Sequence, residues 1–108
     1  MTKMVTRVLA LVFVLAPLAA GAEDVEQGRG LVDMYCSDCH AVGAEGTSPL
    51  AQAPPFRELY LRYDVAFLSE ALVEGIVTAH PEMPEFEFDP EQAEAIVRYL
   101  KSLEPAGQ

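Results

Sequence analysis

Cys36-Ser37-Asp38-Cys39-His40 holds the only two cysteines of this 108-residue chain. The thiols stand three residues apart, close to one helical turn, so both sulfurs can reach the same edge of a flat ligand. His40 follows the second thiol directly, and a neutral imidazole is a good ligand for iron and other transition metals. Working outward, Glu23 to Tyr35 reads as a helix leading into the run. Val25, Leu31, Val32 and Tyr35 share its apolar face, with Gly28 beside them. Glycine costs a helix about 1 kcal/mol relative to alanine, and where it is kept it marks close approach by another element.

The Cys-x-x-Cys-His spacing is that of covalent c-type haem attachment. Two thiols add across two haem vinyl groups, and the adjacent histidine is held at the iron. Two rival chemistries use the same residue types. A thiol redox site of the thioredoxin kind wants a βαβ setting, and no strand pattern flanks this run. A structural disulfide in an oxidising compartment is the related reading. A zinc site built from Cys36, Cys39, His40 and His80 lacks a second spaced pair, and adjacent Cys and His fit a tetrahedron poorly.

The N-terminus places the chain in an exported setting. Met1 to Arg7 carries Lys3 and Arg7 and no acid; Val8 to Ala20 is almost wholly apolar. Ala20-Gly21-Ala22 then gives way to Glu23 and Asp24. Basic, apolar and small-residue regions in that order form a secretory signal peptide. The apolar part spans 13 residues, short of the roughly 20 needed to cross a bilayer. Residues 1–22 are therefore expected to be a signal peptide and 23–108 a single domain in the periplasm, with no stable membrane insertion after cleavage; the alternative is that the segment is kept as an N-terminal anchor.

All 17 acidic residues lie beyond Ala22, against five basic ones, so the domain carries a net charge near −12. Such a surface repels phosphate backbones, which excludes nucleic acid as a partner. It suits redox partner proteins with a basic docking patch. A domain this small gains from a cofactor that supplements its core.

Beyond His40, Ala41 to Pro55 breaks all periodicity and reads as an ordered loop. Phe56 to Tyr63 is expected to make one or two helical turns, with Phe56, Leu59 and Tyr60 inward. Asp64 caps a further helix, with Val65, Leu68, Leu72, Val73 and Ile76 in helical repeat and Gly75 inside it, fraying near Thr78. His80-Pro81-Glu82-Met83-Pro84 is a stiff extended segment. Asp89 caps the last helix, with Pro90 at its first position and Gln92 completing a capping box. Ile96, Val97, Leu100 and Leu103 form its buried stripe beside Tyr99, and Pro105 and Gly107 end it.

A sixth ligand for iron is open to two residues. Met83 offers a soft, neutral thioether from a segment stiffened by two prolines. Met34 stands too near Cys36 in sequence to reach the opposite face. His80 is the competitor, three residues away, so both cannot readily bind one iron; Met83 is favoured.

With these features in this order the chain resembles the small monohaem class I cytochrome c family, over roughly Val25 to Leu103. Cys36 to His40 carries most of the likeness; Met83-Pro84 with Phe86, and Tyr99 to Leu103, add to it. The resemblance implies an all-α fold, with three main helices and a short one wrapped around one haem c attached through Cys36 and Cys39. His40 and Met83 would ligate its iron. It places Gly28 and Tyr99 where the first and last helices cross. It also implies that a proline carbonyl accepts a hydrogen bond from the His40 ring, with Pro54 the nearest counterpart and Pro49 the other candidate. Ala41 stands where the family often has glycine.

The implied function is one-electron transfer, not catalysis: six-coordinate iron has no open site, and no catalytic carboxylate pair or Ser/His/Asp set stands out. Two alternatives stay open. One is a haem subunit of a larger oxidoreductase complex. The other is a gas- or peroxide-binding haem protein, if Met83 is not a firm ligand.

Overall fold

The computed structural model describes residues 2–15, 20–75 and 82–106. Residues 2–15 contain no helix or strand, and the apolar side chains from Val8 to Leu15 are almost wholly exposed. They contribute nothing to the core.

Three α-helices follow: α1 (Ala20–Tyr35), α2 (Leu68–Glu74) and α3 (Pro90–Ser102). Two 3-10 turns, Phe56–Leu61 and Val65–Phe67, lie between α1 and α2. No strand occurs among the described residues. The expected all-α architecture of three main helices and a short one is therefore present. The first helix starts three residues earlier than expected, carried by alanines of high helix propensity.

The α1–α3 crossing organises the core, where Val32, Ala93, Ile96, Tyr99 and Leu100 are buried together with Leu59, Val65, Leu72 and Phe88. Gly28 makes the crossing possible. A Cβ there would lie 2.0 Å from the Ala95 carbonyl oxygen and 2.9 Å from Tyr99 Cβ. The helices meet backbone to backbone, and only glycine leaves room. An exposed Arg98–Asp24 ion pair at 3.3 Å spans the same two helices, a contact type worth little in water.

Helix α3 starts as its sequence dictates. The Asp89 side chain accepts from Gln92 N at 2.8 Å, and Gln92 Oε1 accepts from Asp89 N at 3.2 Å. Pro90 sits at the first position, where its missing N–H costs nothing.

Three details differ from the sequence expectations. The Asp64 carboxylate accepts from Ala66 N, and the chain makes a 3-10 turn before the α-helix begins at Leu68. Gly75 lies outside α2, not inside it: at φ 94° it ends the helix in a conformation that side chains resist. Ile76, Thr78 and His80 lie outside the described residues. Tyr35 does not join the core stripe of α1 but stays 46% exposed.

Candidate haem site

The end of α1 sets the Cys36 to His40 run as a continued turn. Cys36 N donates to Val32 O at 2.9 Å, and His40 N to Cys36 O at 3.0 Å. This winding keeps both thiols and the imidazole on one cleft. Tyr35, Cys36, Cys39 and His40 line it together with Leu50, Ala53 and Pro54. Met83, Pro84 and Phe86, from the far end of the chain, line the same cleft. Met34 is 72% exposed and lines no part of the cleft.

The loop after His40 is held largely through its backbone atoms. Leu50 N donates to Cys39 O at 3.1 Å, and Phe56 N to Ala41 O at 2.9 Å. Ala41 N donates to the buried Ser48 hydroxyl at 3.0 Å. Ala41 has no positive φ, so glycine is not required there.

This folding brings Pro54 O to 2.8 Å from His40 Nδ1, while Pro49 stays on the surface. A carbonyl only accepts, so Nδ1 carries the proton and Nε2 keeps its lone pair for a metal. The Phe56 ring lies 4.7 Å from the imidazole and tilts 38° against it. Sequence reasoning missed two supports. Ser48 gave no signal beyond its place in a Gly/Pro loop. The Tyr99 hydroxyl donates to Val42 O across 57 positions and ties α3 to the loop beyond the histidine.

No disulfide joins Cys36 and Cys39. Burial pushes the Cys36 thiol up to about 11. A nucleophilic redox cysteine needs the opposite shift, and no strand flanks the run among the described residues, so nothing here favours the thioredoxin-like reading. No three metal-ligating side chains converge among the described residues. Of the zinc set, His80 lies outside the described residues.

The donor set suits a haem: two thiols beside one imidazole, a thioether lining the same largely apolar cleft, and a ring nitrogen free for iron. Arg57, next to Phe56, adds an independent sign. Its Nη1 is buried without a hydrogen-bond partner, a costly state that a carboxylate-bearing cofactor would relieve.

The model of the cytochrome c family matches residues 25–104, and the chain belongs to that family. Membership implies a covalently attached haem c and a haem-based electron carrier. The chain is also similar to a protein named cytochrome c-552 from Bradyrhizobium diazoefficiens. They share 32% identity over 97 residues, covering 90% of this chain and 91% of the relative. No solved structure shows a significant match. No helix among the described residues is long and apolar enough to cross a membrane.

Proposed function

We propose that the chain is an exported, periplasmic one-electron carrier whose haem iron is ligated by His40 Nε2 and Met83 Sδ. Haem supplies the ferric/ferrous couple. Cys36 and Cys39 supply the sulfurs of the two thioether bonds. Pro54 O holds the imidazole in the tautomer that offers Nε2. Arg57 is the candidate partner for a haem carboxylate. Met83 contributes a neutral, soft ligand that favours ferrous iron and raises the potential. With His40 and Met83 both committed to the haem iron, the site would carry electrons and bind no substrate.

The observation that carries this reading is the 2.8 Å contact between His40 Nδ1 and Pro54 O. It commits one ring nitrogen to the protein and frees the other. Residues 1–22 fit a signal peptide removed before the protein works: the apolar side chains from Val8 to Leu15 take no part in the core. Asp38 and Glu82 stand at the cleft, with no Lys or Arg among the described residues that line it. A redox partner with a basic patch would dock there, steered by a net charge near −12 from 17 acidic and five basic residues beyond Ala22.

The test is expression of the full precursor in a host that matures c-type haem. The exported fraction should show a sharp c-type reduced spectrum and a weak red-edge ferric band. Met83→Ala should abolish that band and shift the potential markedly, axial ligands commanding roughly 0.8 V across haem proteins. Haem without the band in wild type would remove Met83 from the iron and favour the gas-binding alternative. No covalent haem would refute the reading.

A further inference from the structure

Residues 82–89 form neither helix nor strand. Such a segment is positioned by what packs on it. Among the described residues its backbone tie to another helix is Phe88 N donating to Leu72 O at 2.9 Å. The rest of its support is aromatic. Phe86 and Phe88 stack with centroids 5.7 Å apart and planes at 28°. Tyr35, at the end of α1, meets both edge-on: Phe86 at 6.0 Å and 65°, Phe88 at 5.4 Å and 76°. Edge-to-face rings at these separations attract beyond their buried area.

Tyr35 is out of place as a core residue, at 46% exposure, yet its ring spans to the segment that carries Met83. Phe86 follows Met83 by three residues, and Tyr35, Met83 and Phe86 line the same cleft. We infer that Tyr35 is a positioning residue for Met83, its ring bracing Phe86 and Phe88 so that the thioether stays across the cleft from His40. This rests on the reading of Met83 as the sixth ligand. Tyr35 is also bonded directly to Cys36, so one turn of backbone serves both the thioether attachment and the distal brace. Loss of the ring leaves the ligand's chemistry intact and raises the fraction of molecules in which it has left its position.

The test is titration of the ferric holoprotein with imidazole, whose apparent affinity rises in proportion to the fraction of molecules with an open sixth position. Tyr35→Leu removes both ring contacts and should tighten imidazole binding about tenfold, equivalent to about 1.4 kcal/mol. It should also weaken the red-edge ferric band. Tyr35→Phe keeps the ring and should stay within about twofold of wild type. If Tyr35→Leu fails to accumulate, Phe86→Leu breaks the same contact from the other side and should give the same rise. A Tyr35→Leu protein that melts earlier but binds imidazole like wild type would overturn the positioning role. So would Tyr35→Phe behaving like Tyr35→Leu. Met83→Ala separates the two levels. If it tightens imidazole binding while Tyr35→Leu does not, the ligand stands and the brace falls. If Met83→Ala binds like wild type, the ligand assignment fails and takes the brace with it.

Discussion

Replacing Gly28 with alanine places a methyl group 2.0 Å from the Ala95 carbonyl oxygen and 2.9 Å from Tyr99 Cβ. Ordinary contact begins at 3.4 Å, so the α1–α3 crossing must open by about 1.4 Å. The obstacle is backbone in the middle of a helix, which cannot rotate away. Overpacking of this kind costs about 1–3 kcal/mol, and a backbone clash belongs at the upper end. Alanine returns about 1 kcal/mol through helix propensity. The net expectation is a loss of about 2 kcal/mol. For a domain of this size that lowers the thermal midpoint by roughly 8–16 °C. Gly30 supplies the control on the same helix, since a Cβ there meets nothing within 4 Å. Gly30→Ala should gain up to about 1 kcal/mol. Thermal unfolding of the two holoproteins, followed by far-UV circular dichroism, decides the matter. A Gly28→Ala protein as stable as Gly30→Ala would refute the close crossing.

Asp89→Ala removes the acceptor of the α3 capping box and should cost about 1 kcal/mol, read as a lower unfolding midpoint. Gln92→Leu keeps the Asp89 acceptor and should cost less in the same assay. Burial lifts the Tyr99 phenol above its ordinary value of 10, with Asp33 and Glu26 adding to the rise and Arg29 opposing it. The folded state thus holds that proton more tightly than the unfolded chain. Its stabilisation is complete below pH 10 and fades as pH rises through the folded value. Denaturant titrations above pH 10 should show a steeper loss for wild type than for Tyr99→Phe. Equal slopes would remove the effect from Tyr99.

What could be read from sequence was what local chemistry decides. The Cys36 to His40 spacing states its own covalent geometry, and Asp89, Pro90 and Gln92 specify the start of α3 within four residues. Gly28 announced close approach because a glycine in a helix needs a reason. The end of α2 was harder. The repeat runs on through Ile76, so Gly75 reads as a residue inside the helix. Tertiary contact accompanies the different outcome: a Cβ at Gly75 would lie 2.7 Å from Glu85 Oε1 on the segment bearing Met83. Tyr35 kept helical register with the core residues, yet its ring turned to Phe86 and Phe88, partners 51 and 53 positions away. Periodicity reports the side of a helix and not the distant segment that covers it.

The two sides of the cleft are made from different materials. Around His40 the acceptors are the Ser48 hydroxyl and the carbonyl oxygens of Pro54, Ala41 and Cys39. Every amino acid carries the carbonyl, so substitution away from Ser48 can exchange side chains in this loop and leave those acceptors in place. Around Met83 the support is three aromatic rings, each open to change by a single codon. On the proposed His40/Met83 ligation, inherited variation would be channelled: the histidine side would resist drift, while the methionine side would offer evolution a dial for redox potential that turns without dismantling the fold.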